Sequence, residues 1–316
     1  MIRKIAIIAY AIVIAIVIIG DSSSALDKLI KDDVTFLFQE ENRLAVEDIV
    51  GRIPVIKQKI GSRTGLDTDI PIIFIIHKDR GSFLESTKNE MVAAYAVPEE
   101  NTVVIDLSQM RVHPINLELI IIHELTHLVL HHHIGRSRLP KWFDEGVSEW
   151  VSGINEIIAP DKSDVLRRSV IGGTVIPLYR LSAEFPGDRR GFSLAYEESR
   201  SVIEFMEREH GEDKIRSIIA RMSNGEDINS ALRNEITVSV ADLERLWLKD
   251  LDIRYSWIGY LSNNIIWILF AFGAVVIVIG FIRFRWRLKN YKDDDEDAEI
   301  AMLERMYEND ESKSDP

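Results

Sequence analysis

Two histidines and a glutamate stand at a spacing that can bind a metal ion. His123, Glu124 and His127 form the pattern H-E-x-x-H. Positions four apart lie on the same face of a helix, so the two imidazoles can point at one ion. Neutral imidazole is a good ligand for Zn²⁺. Glu124 directly follows the first histidine, where it can accept a proton from a water bound to the metal.

The residues around this pattern are almost all apolar, which predicts a buried helix. They are Ile120, Ile121, Ile122, Leu125, Leu128, Val129 and Leu130. Burying a polar group costs free energy unless it finds a partner, so the buried histidines and glutamate need a reason to be there. A metal site supplies one, and a buried helix with two hydrogen-bonded histidines is the alternative.

Zinc in a catalytic site needs a third protein ligand, and two residues are candidates. His133 falls at the third histidine of the pattern H-E-x-x-H-x-x-G-x-x-H, but Leu130 stands where that pattern needs glycine. Glu145 follows a connection that contains Gly135 and Pro140, which predicts a helix end, a turn and a second helix. His133 is therefore the weaker candidate, and a polar helix end formed with His131 and His132 is the alternative for it.

The second segment resembles the peptidase MA-like families of the gluzincin clan, whose pattern continues with a tryptophan and E-G in a second helix. Here Trp142 is followed by Glu145 and Gly146, after a Leu-Pro-x-Trp lead-in. The resemblance implies that His123, His127 and Glu145 bind zinc and that Glu124 is the base. It also implies a zincin-like α+β fold. Ser148 and Trp150 depart from the family, where a small apolar residue and a tyrosine are common.

Two further residues can serve this site. Glu149 lies one turn after Glu145, where it can hydrogen-bond a ligand histidine, contact substrate, or form part of a solvated helix face. Tyr196 resembles the tyrosine of an A-Y-x-x-S stretch found in related families. A tyrosine hydroxyl can stabilise the oxyanion that forms when water attacks a carbonyl. A buried tyrosine with an incidental hydrogen bond is the alternative.

The helices and strands that must position these residues are predicted to form one domain of mixed α and β structure over residues 26–257. A small N-terminal sheet is predicted from strands at 34–38, 70–76, 94–97 and 102–105, the last two forming a hairpin. A helix at 44–60 contains Pro54, which we expect to bend or split it. A helical C-terminal half follows the metal helix. The remaining helices are predicted at 82–89, 117–132, 164–171, 193–210, 212–222 and 240–251.

Composition excludes several classes of function. The 316 residues carry a formal net charge of −13, which argues against nucleic-acid binding because phosphate contacts need a basic surface. The chain has no cysteine, so thiolate ligation and disulfide bonds are excluded. A metal site in this chain must therefore use histidine and carboxylate ligands.

Two apolar segments predict a membrane protein. Residues 1–25 carry Arg3 and Lys4, then an uncharged run and small residues, which is typical of a signal peptide or an uncleaved N-terminal anchor. The uncharged residues 265–282 predict a transmembrane helix of about 27 Å. Basic residues directly after it, namely Arg283, Arg285, Arg287, Lys289 and Lys292, predict a cytoplasmic C-terminus and an extracytoplasmic domain.

The remaining segment, residues 283–316, starts basic and becomes strongly acidic from Asp293. Such a composition cannot build a core and predicts a disordered cytoplasmic tail, with residues 300–307 able to form one or two helical turns against a cytoplasmic partner.

The sequence favours a membrane-anchored zinc metallopeptidase that hydrolyses a peptide or protein substrate outside the cytoplasm. An intramembrane protease is disfavoured, because Glu118 and the histidines at 131–133 make the metal helix too polar to span a bilayer. A zincin-fold module that binds or signals without turnover is the other alternative. Glu124 argues against it, since a purely structural zinc site has no use for a base.

Overall fold

The computed structural model describes residues 26–87, 92–112, 117–136, 138–154, 163–255 and 257–311. The chain divides into two compact units, Met1–Asp252 and Ile253–Pro316. The first unit has the α+β composition that the sequence predicts. The signal peptide or anchor predicted at residues 1–25 lies outside the described residues.

One mixed sheet of five strands forms the N-terminal part of the first unit, in the order β1-β2-β3-β5-β4. The strands are β1 (Asp27–Lys31), β2 (Val34–Phe38), β3 (Ile72–His77), β4 (Ala94–Val97) and β5 (Thr102–Asp106). Strands β2, β3 and β5 run parallel, while β1 and β4 pair antiparallel at the two edges. Every predicted strand is present, and β1 is an addition that the sequence did not predict.

Strands β2 and β3 alternate buried and half-buried residues, whereas β5 is buried throughout. Phe36 in β2 and Phe74 in β3 stack with their ring centroids 4.9 Å apart, and both side chains are fully buried. Large apolar side chains at alternate positions of adjacent strands meet on one face because successive residues point to opposite sides. This buried face stabilises the sheet. The edge strand β4 of the same sheet lines the cavity that is described below.

Helices make up most of the rest of the chain. They are α1 (Arg43–Thr64), α2 (Arg80–Thr87), α3 (Leu107–Val112), α4 (Leu117–Ile134), α5 (Lys141–Ser152), α6 (Ser163–Ile171), α7 (Leu178–Leu181), α8 (Arg189–His210), α9 (Glu212–Ser223), α10 (Ile228–Ile236), α11 (Val240–Tyr255) and α12 (Trp257–Glu311). The predicted helices are all present with ends moved by a few residues. Helices α3, α7 and α10 were not predicted. Asp227, which caps α10 by accepting from the N–H groups of Asn229 and Ser230, was a readable signal for its start.

The expectation that Pro54 splits this helix is wrong, because α1 runs unbroken from Arg43 to Thr64. Proline removes one backbone hydrogen bond and costs free energy inside a helix. Its apolar face offsets that cost: Ile49, Ile53, Ile56 and Ile60 recur at helical spacing and are all buried. Tertiary packing therefore keeps the helix continuous through the proline.

Helices α5 and α8 approach each other closely at Gly146. A Cβ atom placed on Gly146 would lie 2.5 Å from the backbone oxygen of Ser199 and 2.7 Å from Cγ1 of Ile203. Both neighbours belong to α8, and the backbone oxygen cannot swing away as a flexible side chain could. Glycine is therefore required here by the distance between the two helices.

Helix α12 belongs to the second unit. Its section Asn264–Arg287 is 24 residues long and contains an 18-residue window with a mean hydropathy of 3.0, so by length and composition this helix can cross a membrane. The helix then continues through the acidic part of the chain and ends at Glu311. Composition predicts disorder there, whereas the structure gives a helical backbone. Alanine, glutamate, leucine and methionine at 298–306 are strong helix formers, which accounts for the difference.

We predict that Gly146→Ala destabilises the protein, because α5 and α8 must separate to admit the methyl group. Overpacking of this kind typically costs about 1–3 kcal/mol. The melting temperature of the variant, measured by circular dichroism, should fall by several degrees.

Gly51→Ala is the matched control. Gly51 also lies inside a helix, but a Cβ atom there meets nothing within 4 Å. The control should leave the melting temperature unchanged or raise it slightly, since alanine favours the helix over glycine. Equal stability of the two variants would contradict the close approach at Gly146.

Candidate metal centre

Helix α4 brings His123 and His127 together on one face, one turn apart. The two Nε2 atoms lie 3.2 Å from each other. Both side chains are largely buried, because the helix is apolar on nearly all sides. Two ring nitrogens this close, directed at one point within a protein interior, are arranged as ligands to a shared cation.

Helix α5 supplies the third group. Helix α4 ends at Ile134, where Gly135 takes a positive φ of 83°, and Pro140 in an extended conformation precedes the first residue of α5. The chain therefore turns back, and α5 packs on α4. Glu145 Oε2 then lies 3.6 Å from Nε2 of His123 and 3.3 Å from Nε2 of His127.

These three atoms fit a zinc ion. Zinc binds histidine nitrogen and carboxylate oxygen at about 2.0–2.1 Å in a tetrahedron, so neighbouring ligand atoms should be about 3.3–3.4 Å apart. The observed separations of 3.2, 3.3 and 3.6 Å lie close to that value. His123, His127 and Glu145 form the one group of three in the described chain whose ligand atoms could together hold a metal ion. Three ligands leave one tetrahedral position open for water or substrate.

Asp144 orients the second histidine from behind. Its Oδ1 lies 2.7 Å from Nδ1 of His127, and its Oδ2 lies 2.8 Å from Nε2 of His131. The two histidines counteract the effect of burial and lower the pKa of Asp144, so the carboxylate is ionised and only accepts hydrogen bonds. When the imidazole of His127 is neutral, its proton therefore lies on Nδ1, which leaves the Nε2 lone pair directed at the candidate metal position.

The charges around the histidines favour a cation at this point. Burial by itself would lower the pKa of His127, but the carboxylates of Asp144 and Glu145 outweigh burial and raise it well above its usual value. Burial likewise works against ionised Glu145, yet the two histidines hold the pKa of its carboxyl below the usual range. The cluster is thus a buried negative site that stabilises positive charge.

Glu124 and Tyr196 line the same cavity as the three candidate ligands. Burial raises the pKa of Glu124, an effect that the two histidines oppose and Glu145 reinforces. Burial also raises the pKa of Tyr196, as do the carboxylates of Glu145, Glu124 and Glu149, so its hydroxyl keeps its proton. The site therefore contains a carboxylate able to exchange a proton and a hydroxyl able to donate a hydrogen bond.

The other two sequence candidates are not among the residues that line the cavity. His133, the weaker candidate for third ligand, contacts the backbone oxygen of Asp67 at 2.8 Å and is only half-buried. Glu149 is buried, with 4% of its surface exposed, and its Oε2 lies 3.9 Å from Nε of Arg200. The interpretation of Glu149 as part of a solvated helix face is therefore wrong.

Sequence reasoning missed the roles of Asp144 and His131. Asp144 directly precedes Glu145 in the chain, and His131 lies one helical turn after His127. The position of His131 on the histidine face of α4 was readable from this spacing. The partnership with Asp144 was not readable, because it depends on how α5 lies against α4.

We predict that Asp144→Asn weakens metal binding while leaving all three ligand side chains in place. The amide has no charge and replaces one acceptor oxygen with a donor, so it cannot accept from both histidines. Loss of such an orienting group typically costs about tenfold to a hundredfold in metal affinity. Zinc affinity can be measured by competition with a chromogenic chelator.

Asp252→Asn makes the same chemical change at an exposed carboxylate and should leave zinc affinity unchanged. An Asp144→Asn variant that binds zinc as tightly as the wild type would show that Asp144 does not orient His127.

Comparison with known proteins assigns the chain to a family. The sequence profile of the Peptidase MA superfamily matches residues 56–252, more than half of the chain. The crystal structure of a mutant M1 zinc metallopeptidase from Deinococcus radiodurans aligns at 10% identity with a TM-score of 0.40, covering 72% of this chain and 52% of that one. The chain thus spans about half the length of that enzyme. The search of curated proteins found no significant match. On the profile match, the chain belongs to the Peptidase MA superfamily.

Proposed function

We propose that this protein is a zinc-dependent metallopeptidase, with His123, His127 and Glu145 as the metal ligands. The observation that carries the proposal is the triangle of ligand atoms, whose sides of 3.2, 3.3 and 3.6 Å fit tetrahedral zinc. Membership of the Peptidase MA superfamily supports the same reaction class. When bound there, zinc would lower the pKa of a water and polarise the carbonyl of the peptide bond.

Glu124 acts as the general base in this proposal. It accepts the proton of the attacking water and then passes that proton to the leaving amine. Its burial supports both steps, because burial raises the pKa of the Glu124 carboxyl above that of an exposed glutamate and so brings it closer to neutral pH. Its position in the cavity beside the three ligands also supports this role, since the attacking water must lie in that cavity.

Tyr196 donates a hydrogen bond to the carbonyl oxygen as negative charge develops on it. The hydroxyl keeps its proton at neutral pH, as a donor must. The rings of Phe185 and Phe192, at centroid distances of 5.3 and 4.8 Å, hold the tyrosine ring at the wall of the cavity. A donor fixed in this way needs little reorganisation during the reaction.

The peptidase domain is anchored to a membrane and lies outside the cytoplasm in this proposal. The support is the apolar helix section Asn264–Arg287, together with the basic residues at 283–292 that follow it. Residues 1–25 then form a cleaved signal peptide or a second anchor, and the acidic end of the chain lies in the cytoplasm, where it can contact a partner.

The alternative is a module of the same fold that binds or signals without turnover. The retained base and the open fourth ligand position favour the enzyme, because a structural zinc site usually closes its fourth position.

We predict that Glu124→Gln abolishes peptide cleavage without releasing the metal. The amide keeps the shape of the side chain but cannot accept a proton, so cleavage should fall by about a thousandfold. Cleavage of a mixed peptide library by the purified full-length protein, followed by mass spectrometry, gives the rate. Elemental analysis of the same samples should give one zinc per chain in both proteins.

Glu118→Gln is the control, since it makes the same change on α4 where the side chain bonds Arg52 instead of facing the cavity. The control should cleave like the wild type. A Glu124→Gln variant that retains full cleavage would refute the assigned base. Zinc without cleavage in the wild type would favour the binding module.

A further inference from the structure

A cavity of about 470 Å³ opens over the three candidate ligands. Edge strand β4 and the residues after it form one wall, and the start of α5 together with Tyr196 forms another. Six formally charged acidic and basic side chains line the cavity: Glu99, Glu124, Asp144 and Glu145 are acidic, and Arg136 and Lys141 are basic. The acidic groups outnumber the basic ones by two, a difference that a bound zinc ion would offset, so the place of a substrate carboxylate depends on the individual cations of the cavity.

Five of these six side chains are committed to other partners or to the proposed reaction. The guanidinium of Arg136 pairs with the carboxylate of Glu99. Asp144 bonds the two histidines at 2.7 and 2.8 Å, and Glu145 lies against the ligand histidines. Glu124 is the proposed base. Lys141 is therefore the cavity cation that has no carboxylate within ion-pair distance among the described residues.

The structure holds Lys141 at a defined place in the cavity wall. Its backbone N–H donates to the oxygen of Ser182 at 3.1 Å, which fixes the first residue of α5. Its ammonium lies 4.9 Å from the ring centroid of Phe185, a cation–π distance. Phe185 in turn makes an edge contact with Tyr196 at 5.3 Å. The ammonium thus lies on the Tyr196 side of the cavity.

We propose that Lys141 selects substrates that place a carboxylate on the Tyr196 side of the reacting bond. This inference rests on the proposed peptidase function and names its substrate class, a peptide carrying a carboxylate at one fixed position. An aromatic ring attracts an ammonium without neutralising it, so Lys141 can pair with a substrate without first breaking an ion pair.

The carboxylate can come from an acidic side chain or from the C-terminus of the peptide, and matched peptides separate these sources. One set carries glutamate or glutamine at each position in turn, with the C-terminus amidated. A second set has a free or an amidated C-terminus and no acidic side chain. The wild type should cleave peptides from one set with a kcat/KM about tenfold higher when the carboxylate is present. The preference should shrink as salt is raised.

Lys141→Gln should abolish the preference, so that the carboxylate peptide is cleaved no faster than its uncharged match. Lys141→Arg should retain it, because arginine keeps the charge. Lys249→Gln removes an exposed cation outside the cavity and should behave like the wild type. Zinc content, measured for each variant, shows that the metal site is intact.

Binding to the Glu124→Gln variant gives a readout that does not depend on turnover. Fluorescence anisotropy should show tighter binding of the carboxylate peptide than of its neutral match, and adding Lys141→Gln should remove the difference. Equal cleavage of both peptides by an active wild type would overturn the role of Lys141 and leave the peptidase function standing. No cleavage of any peptide would refute the proposed function, and equal binding affinities would then overturn the inference as well.

Discussion

The packing of α5 against α4 is the constraint on which the candidate site depends. Glu145 is separated from the histidines of α4 by a helix end and a turn, so its carboxylate reaches them only when the two helices lie together. Asp144 ties the helices at this point through its contacts of 2.7 and 2.8 Å with His127 and His131. Behind them, Gly146 lets α8 approach to a distance that no side chain would permit. One helix therefore supplies a candidate ligand, a carboxylate that contacts two histidines and a close-packed support.

The electrostatics of the site follow from the same arrangement. Carboxylates from two helices surround the paired histidines in a buried setting, where charges interact strongly because little water screens them. Such a site stabilises a metal cation and raises the pKa of both Glu124 and Tyr196, whose proposed roles are proton transfer and hydrogen-bond donation. In the proposed function, the cation of Lys141 pairs with a substrate carboxylate. The proposed metal binding, catalysis and substrate choice thus depend on one arrangement of charged groups.

The sequence was most informative where one short segment determines the outcome. The spacing of His123 and His127 on a helix, and the alternation in β2 and β3, are local properties, and both were predicted. Tertiary packing decided the rest. The buried face of α1 outweighs Pro54, and the ion-pair geometry of Asp144 depends on how two helices dock. Leu130 argued against His133 as the third ligand, but only the family resemblance assigned Glu145 to that role.

Anomalous X-ray diffraction at the zinc absorption edge tests the central claim most directly. A crystal of the zinc-loaded protein should show one strong peak about 2.0–2.1 Å from Nε2 of His123, Nε2 of His127 and a carboxylate oxygen of Glu145. A crystal of Glu145→Ala should lose that peak or show it greatly weakened. A peak at the histidines of residues 131–133 instead, or no peak in well-folded wild-type protein, would contradict the site and the function built on it.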